Sequence, residues 1–217
     1  WEVTPTPEVA ISYETVGVNN NGIINGFTAV QNTELQATVT ISNIGTADLE
    51  LTEPSPGTLT TLQTTLPSTL GFETDNSVDA VFLLSTDTPG SYSETISIDN
   101  NDLDENPLVF TFEWEVTPTP EVSISYEGEV LSNDAIITGL TADQTTELQA
   151  TVTISNVGTA DLELTSPTLS ELVTLQTDLP STLGFESDNS VDAVFLLSTD
   201  TPGSYSETIS ISNNDLD

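Results

Sequence analysis

The residues of this 217-residue chain that could do chemistry are almost all carboxylates. The chain contains 35 Asp and Glu but no Lys, Arg, His, Cys or Met, which gives a formal net charge of −35 at pH 7. These absences exclude a Ser-His-Asp triad, a thiolate nucleophile, a Schiff-base lysine and metal sites of Cys and His. The chemistry that remains is catalysis by a carboxylate pair or binding of hard cations through oxygen ligands.

The densest run of oxygen ligands is "DNNDLDEN" at residues 99–106, which repeats in part near the end of the chain. Ca²⁺ takes six to eight oxygens from such side chains and from backbone carbonyls. Asn and Asp also favour turns, so an ordinary polar turn is the alternative interpretation. The predicted Ca²⁺ ligands are Asp99, Asn101, Asp102, Asp104 and Glu105 in the first run, and Asn214, Asp215 and Asp217 in the second.

A second candidate for cation binding is "ETDNSVD" at residues 73–79. It offers the carboxylates of Glu73, Asp75 and Asp79. It recurs at residues 186–192 with one change of Thr to Ser. We consider this run the weaker of the two candidates.

Catalysis has little support in the sequence. "TDTPG" at residues 86–90 loosely resembles the Asp-Thr-Gly of aspartic proteases, but its Pro departs from that motif. A turn between strands with Pro-Gly at its apex explains the run better. The chain is therefore predicted not to be an enzyme.

The uniform negative charge also limits the partners. It repels nucleic acid and anionic lipid headgroups and attracts cations. No stretch approaches the roughly 20 apolar residues needed to span a bilayer. The predicted partners are neighbouring repeats of the same chain and identical chains in a filament, with neither nucleic acid nor direct membrane insertion.

The chain contains an internal repeat with a period of 113 residues. Of the 104 positions that overlap after this shift, 22 differ, and no gap is needed. The differences cluster at 15–32 and 53–60, as expected of loops and edges. We predict domains at 1–113 and 114–217, the second without a counterpart of 105–113, its last strand. Because the second copy ends before its predicted last strand, we expect that the polypeptide continues.

Each copy has the pattern of strands alone. "LQATVTIS" alternates strictly, with Leu35, Ala37, Val39 and Ile41 on one face. About seven such short runs, separated by turn residues, occupy each copy. The sequence therefore predicts an all-β protein of two tandem immunoglobulin-like β-sandwich domains.

The seam between the copies is unusually stiff for a linker. Alternation continues without a change of phase from Leu108 to Val116, and Pro118 and Pro120 follow. Proline removes an N–H, fixes φ and extends the preceding residue. Trp114 is expected to lie partly buried at this joint. Carboxylates of both copies are predicted to converge there, where a divalent cation would fix the angle.

Two stretches resemble a known family. They are "ELQATVTISNIGTADLEL" (34–51), with its N-x-G-x-x-x-L turn, and "GSYSETISIDNNDLDENPLVFTF" (90–112). Both are similar to the bacterial choice-of-anchor D type repeat, within a broader immunoglobulin-like group that resembles the major sperm protein fold. The resemblance covers 33–113 and 146–217. It implies secreted or surface-anchored modular proteins whose repeat has no catalytic role, and it supplies no ligand. The seam departs from the Gly-rich endings of that family.

Together these features favour a structural repeat of a secreted, acidic cell-surface fibre or adhesin stalk. Its seams would be rigid, and Ca²⁺ would strengthen them. One alternative is an extracellular filament subunit that exchanges strands with its neighbours. Another is a calcium-dependent glycan-binding module, whose ligand would contact the variable residues 15–32.

Overall fold

A computed structural model describes residues 1–54, 56–74 and 76–216, which form strands and turns. The chain divides into two compact units, Trp1–Thr117 and Pro118–Asp217. The structural boundary thus falls four residues after the boundary at 113/114 that the repeat period suggests. Within the described part, there is no helix with the length and apolarity needed to cross a membrane.

The described residues of unit 1 form ten strands in three sheets. A five-stranded sheet has the order β2-β1-β4-β8-β6, a three-stranded sheet has the order β3-β10-β9, and β5 pairs with β7. The strands are β1 (Val9–Tyr13), β2 (Val16–Val18), β3 (Gly22–Val30), β4 (Leu35–Asn43), β5 (Leu49–Glu50), β6 (Thr60–Leu62), β7 (Thr69–Leu70), β8 (Ser77–Leu84), β9 (Gly90–Ile98) and β10 (Leu108–Thr117).

The core of unit 1 lies between the two larger sheets. Alternation along β4 buries Ala37, Val39 and Ile41 on the inner face, while the intervening threonines lie outside or near the surface. Every second residue of β10 is likewise buried, each with at most 3 % of its surface exposed: Leu108, Phe110, Phe112, Trp114 and Val116. Because each strand contributes one apolar face, the sheets must pack face to face. The prediction of an all-β immunoglobulin-like sandwich is confirmed.

The variable segment 15–32, expected to consist of loops and edges, contains the edge strands β2 and β3, and β3 pairs in parallel with β10. One local expectation differs from the structure. Trp114 is not partly buried at a joint but lies in the core of unit 1. Its ring stacks on Tyr92 at a centroid distance of 5.4 Å, and its indole N–H donates to the Ser85 carbonyl. Its repeat counterpart, Trp1, is fully exposed.

Unit 2 repeats only part of this arrangement. A five-stranded sheet has the order β12-β11-β13-β17-β15, and β14 pairs with β16. The strands are β11 (Val122–Tyr126), β12 (Glu129–Leu131), β13 (Leu148–Asn156), β14 (Leu162–Glu163), β15 (Val173–Leu175), β16 (Thr182–Leu183) and β17 (Ser190–Leu197). Within the described part of unit 2, residues 135–143 and 203–211, the counterparts of β3 and β9, form no strand.

The connection between the units is one residue long. The Thr117 carbonyl, at the end of β10, accepts from the Gln31 N–H within unit 1. The Thr119 carbonyl accepts from the N–H groups of Thr159 and Ala160 within unit 2. Pro118 alone lies between these hydrogen-bonded residues, and its ring fixes its own φ.

Candidate cation site

One end of unit 1 is organised by a buried asparagine. Asn43 is 1 % exposed, and its amide group donates to the carbonyls of Ala47 and Leu70. Its Oδ1 accepts from Gly45 N at 3.0 Å and from Glu8 N at 3.4 Å. A Cβ on Gly45 would lie 2.5 Å from Glu8 N, so only glycine fits there. The N-x-G turn therefore fixes the backbone that carries Glu8.

The loop after β9 is held by two further asparagines. Asn100 Nδ2 donates to the Glu105 carbonyl at 3.0 Å, and Asn100 Oδ1 accepts from Asp102 N at 2.8 Å. Asn101 Oδ1 accepts from Glu50 N at 2.9 Å, which ties the loop to β5. These amide groups close the loop. The peptide bond between Asn106 and Pro107, just before β10, is cis.

Four carboxylates meet where this loop passes the start of β1. Glu8, Asp102, Asp104 and Glu105 each offer one oxygen, and these oxygens all lie within 4.8 Å of one another. Asp102 is 2 % exposed, and its Oδ2 accepts from Val9 N at 2.8 Å. Glu8 and Glu105 are half-buried and Asp104 is exposed. The group of four carboxylates is therefore buried at Asp102 and open to solvent at Asp104.

The electrostatics of this group are unfavourable without a counter-ion. Burial raises the pKa of Glu105, and the charges of Asp104, Asp102 and Glu8 and a hydrogen bond with Asp102 raise it further. The Oε2 atom of Glu105 is enclosed and has no hydrogen-bond partner. A buried oxygen without a donor is costly, because it has lost water and gained nothing. A proton or a cation would satisfy it.

The other residues predicted for this loop lie outside the group of four. Asn101 uses both ends of its amide, since Nδ2 also donates to the Asp48 carbonyl at 3.2 Å. Asp99 is exposed, and its backbone carbonyl accepts from Thr52 N. The structure thus brings together Asp102, Asp104 and Glu105, and it assigns Asn101 to holding the loop.

Unit 2 repeats the framework of the site. Val122 N donates to Asp215 Oδ2 at 2.9 Å, and Glu163 N donates to Asn214 Oδ1 at 2.8 Å. These bonds match those of Asp102 and Asn101 in unit 1. Asp217, the counterpart of Asp104, lies outside the described residues.

The second candidate run does not gather its carboxylates in the part that the structure describes. Asp79 lies on β8, where its Oδ1 accepts from the Thr40 hydroxyl at 2.7 Å across the strand pair. Glu73 is exposed in the turn before β8. Asp75 lies outside the described residues.

Sequence reasoning missed Glu8. It lies more than ninety residues from the loop in sequence, and the bond from Val9 N to Asp102 Oδ2 holds the start of β1 against the loop. The available signal was its place immediately before a predicted strand in "TPTPEV", a sequence present in both copies. All four ligand atoms are carboxylate oxygens, which suit hard cations such as Ca²⁺ better than softer metals.

Comparison with known proteins gives only distant likenesses. No family model and no curated protein matches the chain. Among solved structures, it is similar to a protein of unknown function from Porphyromonas gingivalis W83, at TM-score 0.34 and 13 % identity, over 88 % of this chain and 83 % of that one.

Two further likenesses are to a PapD-like domain and to cadherin domains. The human CEP192 ASH/PapD-like domain 7 has TM-score 0.37 and 14 % identity, over 54 % of this chain and 90 % of that one. Protocadherin gamma B2 extracellular cadherin domains 1–5 have TM-score 0.37 and 10 % identity, over 91 % of this chain and 34 % of that one.

Proposed function

We propose that this chain is a structural repeat of a secreted, highly acidic cell-surface fibre or adhesin stalk, with no catalytic role. The observation that carries the proposal is the one-residue joint. Residues on either side of Pro118 are hydrogen-bonded within different units. A spacer must resist bending, and a joint of one fixed-φ residue leaves little backbone freedom to bend. The high density of negative charge would keep neighbouring fibres apart.

The stiffness of the joint can be measured by spin labelling, because the chain has no native cysteine. Thr38→Cys and Thr151→Cys place one label on an exposed, repeat-equivalent position of each unit. We expect a narrow distribution of label-to-label distances. Insertion of Gly-Ser-Gly-Ser after Pro118 should broaden it several-fold while both units stay folded. A distribution that is already broad before the insertion would contradict the stalk proposal.

We further propose that the group Glu8, Asp102, Asp104 and Glu105 binds Ca²⁺. The convergence of four oxygens, the enclosed Oε2 of Glu105 and the raised pKa of that residue support the proposal. A divalent cation would reverse the repulsion between these carboxylates and supply the ligand that Oε2 lacks. Backbone carbonyls and water would complete the six to eight oxygens that Ca²⁺ takes.

The test is a calcium titration followed by thermal unfolding. Extracellular modules bind Ca²⁺ with Kd of roughly 10⁻⁴–10⁻³ M, so 10 mM Ca²⁺ should stabilise the protein by about 1.4–2.7 kcal/mol. EDTA should reverse the effect. Asp104→Asn should abolish most of it, whereas Asp99→Asn, outside the group, should leave it intact. Equal responses of the two variants would show that the assignment of ligands is wrong.

A further inference from the structure

Two Asn-Gly steps lie at the start of the edge strand β3 and within it. They are Asn21-Gly22 and Asn25-Gly26, and the sequence contains no other step of this kind. At such a step the glycine nitrogen can attack the side-chain carbonyl carbon of the asparagine, because glycine has no Cβ to hinder closure of a succinimide ring. The structure places the two steps in different surroundings, so their reactivities should differ.

Asn25 and Gly26 form a β-bulge in unit 1. The register of β3 with β10 shifts between Phe112 and Trp114, so Asn25 and Gly26 together lie opposite the single residue Glu113. Gly26 has a φ of +91°, and no atom beyond its chain neighbours lies within 4 Å of the position that a Cβ would take. The surroundings of Gly26 therefore leave room for the ring to close.

The side chain of Asn25 is not held in place. It is exposed, and within the described residues its amide group makes no hydrogen bond. Other asparagines of unit 1 differ, because the amide groups of Asn20, Asn43 and Asn100 all donate to backbone carbonyls. The Asn25 carbonyl carbon can therefore turn towards the Gly26 nitrogen without breaking a side-chain hydrogen bond.

The other step, Asn21-Gly22, is held in a tight turn. The Gly22 N–H donates to the Asn19 carbonyl at 2.8 Å, and the Asn21 N–H donates to the Val109 carbonyl at 2.7 Å. A Cβ on Gly22 would lie 2.7 Å from the Asn19 oxygen and 2.7 Å from a methyl carbon of Val18. The attacking nitrogen is thus occupied and its surroundings are crowded, so attack would require the turn to open.

We propose that Asn25 is a site of spontaneous deamidation in the folded protein and that Asn21 is protected. The Gly26 nitrogen bonds to Asn25 Cγ and gives up its proton, the bond from Cγ to Nδ2 breaks, and ammonia leaves. Water then opens the succinimide at either carbonyl, which gives Asp or isoaspartate. Each event adds one carboxylate to a shallow concavity that Glu113 and Glu115 also line. The proposal is independent of the stalk and the cation.

The test is incubation of the folded chain at mildly alkaline pH, followed by digestion at acidic residues and mass spectrometry. Each deamidation raises the peptide mass by about one dalton, and fragmentation assigns it to one residue and separates isoaspartate from Asp. We expect Asn25 to react at least about 10-fold faster than Asn21, because reaction at Gly22 must break a hydrogen bond and open a crowded turn.

Two controls separate the effect of the fold from that of the local sequence. In guanidinium chloride both steps lose their structure, so Asn21 and Asn25 should react at similar rates. Asn25→Gln should remove the mass change at residue 25 and leave the rate at Asn21 unaltered. The proposal is overturned if Asn25 is stable in the folded chain or if Asn21 reacts as fast as Asn25 there. An equal preference for Asn25 in the unfolded chain would assign the difference to local sequence and also overturn it.

Discussion

Units 1 and 2 have nearly the same sequence but differ in structure. Unit 1 buries its core between a five-stranded and a three-stranded sheet, whereas the described residues of unit 2 form the five-stranded sheet without a three-stranded counterpart. The segments that flank β10 in unit 1 have counterparts in unit 2, and one of these two segments is identical in both units. The second sheet is therefore decided by a single central strand and not by the propensities of its edges.

The shared five-stranded sheet shows what each copy specifies without that strand. The pairing of β4 with β8 has the same register as that of β13 with β17, and β1 and β11 pair equivalently. These strands all lie within the first 84 residues of a copy, so their pairing needs nothing from β10. The buried asparagine is shared too, because Asn156 repeats the bonds of Asn43.

The largest expected effect comes from removing one phenylalanine in each unit. Phe82→Ala should destabilise unit 1 by about 3–5 kcal/mol, because it leaves a cavity against two other rings. Phe195→Ala should cost unit 2 less than this, because Phe195, although 3 % exposed, packs within the described residues on aliphatic side chains and not on other rings. Urea unfolding followed by NMR peaks of each unit would measure both. Equal losses of unfolding free energy in the two units would contradict the structural difference that we describe.

The asparagine pair should behave alike in both units. Asn43→Ala and Asn156→Ala each remove a side chain that satisfies two carbonyls and two N–H groups in buried surroundings. We expect each substitution to destabilise its own unit by about 2–3 kcal/mol. A buried carbonyl or N–H group that is left without a hydrogen-bond partner costs about 1–3 kcal/mol. The matched substitutions in the same unfolding assay serve as each other's control. A loss confined to unit 1 would mean that the turn depends on the complete sandwich.

The smallest effect concerns Glu105, which is present only in unit 1. Its pKa is raised in the folded state, so its contribution to stability is greatest below its ordinary pKa and falls as pH rises through the folded value. Without added cation, Glu105→Gln should therefore raise the Tm of unit 1 at pH 7 and should have little effect near pH 3. Unit 2 should not respond at either pH. A fall in Tm at pH 7 without cation would contradict the repulsion that we describe.

The sequence predicted the architecture well because alternation along each strand directly reports the buried face. It also predicted that β10 continues through the end of the repeat, since the phase of Phe110 and Phe112 carries on to Trp114 and Val116. It did not predict that 135–143 and 203–211 form no strand, because the local alternation of residues 203–211 is identical to that of β9. The β3 segment was missed, since its partner lies about ninety residues away.

For the candidate site, the sequence identified the loop but not the set of ligand atoms. A cluster of Asp and Asn predicts a turn and a cation site equally well. The structure assigns Asn100 and Asn101 to the turn, while Asp102, Asp104 and Glu105 gather with Glu8. Which side chains face inwards depends on hydrogen bonds to β1 and β5, and these long-range contacts are not visible in the local spacing.

The most direct test of the central claim is to extend the chain with one further copy of residues 105–117 after Asp217 and to measure hydrogen exchange. The segments 203–211 and 90–98 have the same sequence, so their intrinsic exchange rates nearly match and any difference reports structure. If a single central strand decides the second sheet, 203–211 in the extended chain should become as protected as 90–98. If 203–211 stays unprotected although the added strand is present, the account of the two units is wrong.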